Sequence, residues 1–278
     1  MKQLYDDVTF KCSKLITNCY STSFSLGTYF LGKEFRMPVY AIYGFVRFAD
    51  EIVDTFHEYN KLELLDRFTA DTYRALDEKI SLNPVLNSFQ LTINKYKVDR
   101  KLIDTFLKSM RMDLDKKNYS QEGYEEYILG SAEVIGLMCL KIFVRGDEKV
   151  YQELKHDAMK LGSAFQKINF LRDLKADYQI MGRTYFPGLE ISRFDETSKK
   201  EIEKDIQKDF DAGLRGIRQL PKESRFGVYI SYTYYLSLFR KVKRTPASVI
   251  LNQRIRISDG KKYLLFGWCL LRHKLNLI

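Results

Sequence analysis

Four side chains in one stretch of sequence have the types and spacing of a surface that handles metal ions and phosphate. Within Tyr40-AIYGFVRFADEIVD, the residues Tyr43, Arg47, Asp50 and Asp54 stand at offsets 0, 4, 7 and 11. At about 100° per residue they fall within roughly 60° of one another on a helix and extend along about 16 Å of its axis. Their neighbours Ile42, Phe45, Val46, Phe48, Ala49, Ile52 and Val53 are apolar, so the row is expected to line a cavity. A second stretch, Ala164-FQKINFLRDLKAD, nearly repeats the geometry with Gln166, Asn169, Asp173 and Asp177 at offsets 0, 3, 7 and 11. Either row alone also fits a solvated acidic face, but two such rows on apolar helices point to shared space between them. Carboxylates buried without partners are costly, so the rows call for cations. His57, His156 and His273 share no ligand spacing, which argues against zinc. All-oxygen donors suit a hard divalent ion such as Mg²⁺, held by few protein ligands and completed by substrate phosphate oxygens. The chemistry that fits is departure of a metal-bound diphosphate from a hydrocarbon chain, with aromatic faces stabilising the cation left behind. Tyr and Phe supply those faces, 19 of each.

The elements that must hold these rows read as helices. The chain has 278 residues, with only 5 Pro and 15 Gly, too few for the turns of a sandwich, barrel or doubly wound sheet. Helical periodicity predicts segments near 3–19, 38–57, 61–79, 84–96, 99–116, 121–144, 147–180, 197–213, 221–243, 246–252 and 260–273. Pro38 suits the first turn of its helix, and Asn83-Pro84 and Leu220-Pro221 mark helix starts. No linker or low-complexity tract interrupts the pattern, so one all-α domain over 1–278 is expected: a helical bundle around a central cavity. Hydrophobic residues at 45% and charged residues at 29% exclude a disordered chain. Cys12, Cys19, Cys139 and Cys269 form no CxxC pair and indicate a reducing compartment. The amino terminus does not read as a signal peptide. The apolar run Tyr263 to Leu271 is about half of the roughly 20 residues that cross a bilayer. A cytoplasmic protein is expected. The net charge is +10, with a late basic cluster at Arg240, Lys241, Lys243, Arg244, Arg254, Arg256, Lys261 and Lys262. Such a cluster wants an anion, which leaves open a non-catalytic helical module that binds nucleic acid or lipid; that alternative does not explain carboxylates on apolar helices.

Several blocks, in order between about residues 20 and 260, resemble the squalene/phytoene synthase family, the head-to-head branch of the trans-prenyl transferases. They are Ser21-TSFSL, Tyr40-AIYGFVRFADEIVD, Tyr127-ILGSAEVIG, Phe165-QKINFLRDLKAD with Gly182-RTYFP, and Tyr235 followed by Arg254-IRI. The resemblance implies that Asp50 and Asp54 form the first aspartate-rich motif and Asp173 and Asp177 the second, both holding Mg²⁺ (Mn²⁺ as the alternative) against diphosphate. It implies diphosphate contacts for Arg47, Ser21, Ser23, Tyr235 and Arg254, and positions near the reacting chains for Tyr43, Phe24, Tyr127, Gln166 and Asn169. Arg172 is the arginine of the NxxRD block.

The implied reaction starts with ionisation of one prenyl diphosphate, whose C1 alkylates the C2=C3 double bond of a second to form a cyclopropylcarbinyl diphosphate. A second ionisation and rearrangement follow. Proton loss gives phytoene or dehydrosqualene, whereas hydride from NADPH gives squalene; the shorter length without a carboxy-terminal span favours phytoene, and NADPH is not expected. Four positions depart from the family pattern. Glu51 replaces an aspartate, Ala176 stands where an acid is common, and Glu133 replaces a small residue and either faces the cavity or pairs structurally. Thr28 is small where a bulky aromatic could wall off the channel, which predicts room for C20 chains, hence two geranylgeranyl diphosphates joined to a C40 product. The alternative is a C30 enzyme using farnesyl diphosphate. The stretch Lys261-KYLLFGWCLLRHKL mixes basic and bulky apolar residues, so peripheral membrane contact is a further expectation. No nucleic-acid partner is expected, and the pattern specifies no oligomeric state.

Overall fold

The computed structural model of the chain describes the backbone of residues 1–115, 119–181, 185–189 and 194–275, and the side chains within them except those of 115, 176–181, 259, 261, 263 and 274. The order is α1 (Lys2–Tyr20), α2 (Thr22–Tyr29), α3 (Lys33–Asp54), α4 (Lys61–Glu78), α5 (Pro84–Tyr96), α6 (Arg100–Asp115), α7 (Gln121–Ile128), a π segment (Leu129–Glu133), α8 (Val134–Phe143), α9 (Glu148–Met181), α10 (Glu196–Gln219), α11 (Lys222–Arg244), α12 (Ala247–Ile250) and α13 (Asp259–Lys274). No strand occurs among the described residues, and the expected all-α class is what the chain adopts. The starts follow local chemistry. Asn60 accepts the Glu63 N–H at 3.2 Å to cap α4. Asn83 accepts those of Val85 and Leu86, with Pro84 at the first helical position of α5. Asp195 and Ser198 form a reciprocal capping box on α10.

Three features differ from the periodicity. Helix α2 is an extra element: Ser21 breaks α1 with extended backbone and its hydroxyl then accepts the Phe24 N–H at 3.2 Å. Its sequence, TSFSLGTY, has no single apolar face for periodicity to detect. Helix α3 begins at Lys33, so Pro38 sits inside it rather than in its first turn. The lost backbone bond is offset by burial of Phe35, which packs edge-on against Phe143 at 6.1 Å. The expected helix 121–144 is interrupted by the π segment, a widening that appears often at functional sites.

Two apolar clusters hold the elements. In the first, Phe45 of α3 stacks on Phe89 of α5 at 3.8 Å and approaches Phe106 of α6 at 5.4 Å, all fully buried. Each such ring contributes about 1.5–3 kcal/mol through removal from water. In the second, Ile168, Leu171, Phe210 and Phe239 join α9, α10 and α11. Between α9 and α10, buried Lys167 pairs with Asp205 at 2.5 Å and Asp209 at 2.7 Å. Two glycines set helix spacing near the cavity. A Cβ on Gly227 would lie 2.6 Å from the Gly27 carbonyl, and one on Gly162 would lie 2.7 Å from that of Ala132; only glycine permits these backbones to touch. Among the described residues no helix is long and apolar enough to cross a membrane.

Candidate active site

The cavity, about 240 Å³, borders both apolar clusters and is walled by α2, α3, the π segment, α8, α9, α10 and α11. Along α9 its lining runs from Leu154 to Gln166, about 18 Å at 1.5 Å per residue. Phe143, Leu154 and Leu220 line one end; Phe24, Phe165 and Gln166 line the end nearest the polar rows. Thr28 is buried in the wall, its hydroxyl donating to the Phe24 carbonyl at 2.9 Å.

At the polar end, the row on α3 meets α2. Tyr43 stacks on Phe24 at 4.7 Å, and the Ser21 hydroxyl hydrogen-bonds the Tyr43 phenol. Burial raises the pKa of that phenol despite Arg47 nearby. Arg47 pairs with Glu51 one turn on and covers the Tyr20 ring at 4.3 Å, while its Nε is buried without a hydrogen-bond partner. Glu51, at the position where the family pattern has an aspartate, is therefore a buried counter-ion for Arg47. Asp50 is half-buried and Asp54 exposed. Burial, then the negative charges of Asp54 and Asp113, push the Asp50 carboxyl up to about 7, with Arg47 opposing.

Asp113, on α6, was not singled out from the sequence. It is buried and accepts hydrogen bonds from Tyr119 at 3.0 Å and Tyr127 at 2.5 Å. Burial first, and then Asp113, raise the Tyr127 phenol well above its ordinary pKa. The same side chain approaches Tyr185 and Phe170, themselves stacked at 4.0 Å, so the block after α9 is tied to the Tyr127 block. The one available signal was an acid between Met112 and Leu114 in SMRMDLD.

On α9, Gln166 faces the cavity. Asn169 hydrogen-bonds the Tyr235 phenol of α11, and its Oδ1 is buried without a hydrogen-bond partner. Tyr235 stacks on Phe165 at 4.0 Å; burial raises its pKa while Arg172 opposes. The charge of Tyr235 is felt at Tyr43, so α3 and α11 approach here, and the Asn169 contact to Tyr235 ties α9 to the same region. Asp173 is gripped by two arginines. Arg172 reaches it with Nε at 3.0 Å and Nη2 at 2.5 Å, and Arg254 with Nε at 2.6 Å and Nη2 at 3.2 Å. Ser23 is half-buried in the first turn of α2. The Asp177 and Ala176 side chains and residues 182–184 lie outside the described residues. Glu133 does not line the cavity; it takes a hydrogen bond from Ser163 and is the paired structural carboxylate.

Among the described residues no three His, Cys, Asp or Glu side chains already converge as a metal centre. The donor set nevertheless fits a hard cation. Asp54 and Asp113 both add negative charge at Asp50, all donors are oxygens, and Arg47 Nε and Asn169 Oδ1 are buried polar atoms without a hydrogen-bond partner.

The fold defines a class first, the all-α isoprenoid-synthase architecture. The chain aligns over 98% of its length with 98% of a dehydrosqualene synthase crystallised with a ligand, at a TM-score of 0.82 and 22% identity. The family follows from the sequence: the squalene/phytoene synthase family model matches residues 17–261, and the chain belongs to that family. It is similar to chloroplastic phytoene synthase 1 of Zea mays, 26% identical over 294 residues that cover 95% of this chain and 67% of that protein. It is also similar to 4,4'-diapophytoene synthase of Staphylococcus haemolyticus, 22% identical over 272 residues, covering 89% and 91%. Membership makes the chain an enzyme of the prenyltransferase type and implies prenyl diphosphate substrates.

Proposed function

We propose that the chain is a phytoene synthase that joins two geranylgeranyl diphosphates head to head, through a cyclopropylcarbinyl diphosphate, to phytoene with release of diphosphate. The observation that carries this reading is an apolar cavity lined by Gln166 of the α9 row and by Phe24, which stacks on Tyr43 of the α3 row. Asp50, Asp54 and Asp173, with Asp177, would hold Mg²⁺ or Mn²⁺, which when bound neutralises diphosphate and assists its departure from carbon. Arg47, Arg172 and Arg254 supply guanidinium donors, and Ser21, Ser23 and Tyr235 hydroxyls, to the phosphate oxygens. The stacked pairs Phe24–Tyr43 and Phe165–Tyr235 present ring faces at the cavity mouth, each stabilising a passing cation by about 0.5–2 kcal/mol. Gln166 lines the cavity beyond them and positions the chains, while Tyr127 acts from outside the lining through Asp113. Released diphosphate, left beside the cation, would take the proton as the triene forms.

Thr28 supports C20 over C15 substrates: its small side chain leaves the bore open. Proton loss ends the reaction, so no NADPH is needed. The diapophytoene synthase relative favours a second reading, a C30 enzyme using farnesyl diphosphate. Peripheral membrane contact of a cytoplasmic enzyme through α13 belongs to the same proposal, because the hydrocarbon product leaves for a lipid phase. The test supplies C15 or C20 diphosphate with Mg²⁺, with and without NADPH, and identifies the extracted hydrocarbon. A C40 product from the C20 substrate without reductant is expected. Far better use of farnesyl diphosphate replaces the first reading with the second.

A further inference from the structure

Helix α13 turns apolar residues both inward and outward. Cys269 is buried on α11, yet Leu264, Trp268, Leu271 and Leu275 are half to three-quarters exposed. Their offsets of 0, 4, 7 and 11 place them on one outward stripe extending along about 16 Å. Such a stripe is costly in water unless something covers it. Beside it lies an open cleft of about 450 Å³ between α11 and α13, lined by Arg240, Lys241, Arg244 and Arg272 together with Tyr232 and Trp268. None of its described lining residues is acidic. The charge of Asp211 is felt at Tyr232. Lys241 donates to the Arg256 carbonyl at 2.6 Å. Trp268 belongs to both features, with one side on the stripe and the other in the cleft.

We propose that this face docks on an anionic phospholipid surface, with the α13 stripe entering the acyl boundary and the Arg240–Arg244 cleft receiving a lipid phosphate headgroup. The inference extends the membrane part of the proposed function and names its lipid chemistry; it does not depend on which chain length the active site accepts. Charge complementarity selects the occupant. A second copy of this basic face would bring like charges together, whereas a leaflet offers hydrocarbon beside phosphate in the order that the stripe and cleft present. Tryptophan at the junction matches the depth of the headgroup region.

Trp268 is the only tryptophan in the chain, so its emission reports this face alone. The full-length protein is titrated with phosphatidylcholine vesicles and with vesicles containing phosphatidylglycerol, and binding is read by tryptophan emission and by co-sedimentation. A blue shift and pelleting with the anionic vesicles, weakened by added salt, are expected. Arg240→Gln with Arg244→Gln should lower partitioning roughly 25-fold, about fivefold per charge, while leaving turnover of detergent-dispersed substrate unchanged. Leu264→Ser with Leu271→Ser should abolish the blue shift. Equal binding to neutral and anionic vesicles, no response to either, a concentration-dependent blue shift without vesicles that marks self-association, or a shift with an oligonucleotide in place of vesicles would each overturn the proposal. Loss of turnover with intact vesicle binding would instead count against the enzyme reading alone.

Discussion

Replacing Lys167 by Met tests how α9, the carrier of half the site, is fixed to α10. Lys167 is buried with its Nζ at 2.5 Å from Asp205 and 2.7 Å from Asp209; Asp205 is exposed and loses little, but Asp209 is 4% exposed. The substitution leaves Asp209 with Lys160 at 3.8 Å as its nearest recorded cation. Removing one partner of a buried pair costs about 3–5 kcal/mol, and Lys160 places this case at the lower end, about 3 kcal/mol. At about 2–4 °C per kcal/mol for chains of this size, the melting temperature should fall by about 6–12 °C at pH 7. The pH dependence has a definite sign. Burial already raises the Asp209 carboxyl above its ordinary value, with Lys167 opposing. Without Lys167 it rises further. A carboxyl whose folded pKa exceeds its unfolded pKa destabilises the fold above that folded value, and the penalty fades as it protonates. The deficit should therefore shrink on going from pH 7 to pH 5, and Asp209→Asn in the same background should restore most of the loss. Thermal melts followed by circular dichroism measure both effects. A variant melting within about 2 °C of the parent at pH 7, or a deficit that grows in acid, would refute the reasoning.

Other substitutions probe the site and its wall. Asp50→Asn should abolish turnover yet raise the melting temperature by a few degrees at neutral pH, because it removes a charge that burial, Asp54 and Asp113 all disfavour; hydrocarbon assay and melting curve are read on one preparation. Asp173→Asn should likewise abolish turnover with an unchanged helical spectrum. Thr28→Phe should shift preference from C20 towards C15 diphosphate, seen as a changed ratio of kcat/KM between the two; an unchanged ratio means that Thr28 does not bound the chain. Gly227→Ala drives a Cβ to 2.6 Å from the Gly27 carbonyl and should cost about 1–3 kcal/mol in denaturant unfolding.

The parts legible in the sequence were those with a period. The Tyr43–Asp54 and Gln166–Asp177 rows repeat every three or four residues, so the helices that carry them, α3 and α9, followed from spacing alone. Asp113 had no such support: a single acid between Met112 and Leu114 becomes informative only when α6 brings it to Asp50. The arginine clasp on Asp173 joins residues 81 apart in the chain, a tertiary fact that no local pattern encodes. Glu51 shows competition at close range, since the carboxylate that could extend the acidic row is taken by Arg47 one turn earlier. Helix α2 and the π segment escaped for a different reason. Their Ser-, Thr- and Gly-containing stretches carry no amphipathic signal, and packing rather than propensity decides them.

The glycines along the cavity bear on how such a tunnel can change its bore. Where Gly27 meets Gly227 and Gly162 meets Ala132, the lining is main chain, which has no rotamers to swing aside. At those points the diameter is fixed by the separation of whole helices and is stiff against thermal motion. Adjustment of the bore is thereby left to the positions where a side chain rather than main chain forms the wall, among them Thr28, Phe143 and Leu154.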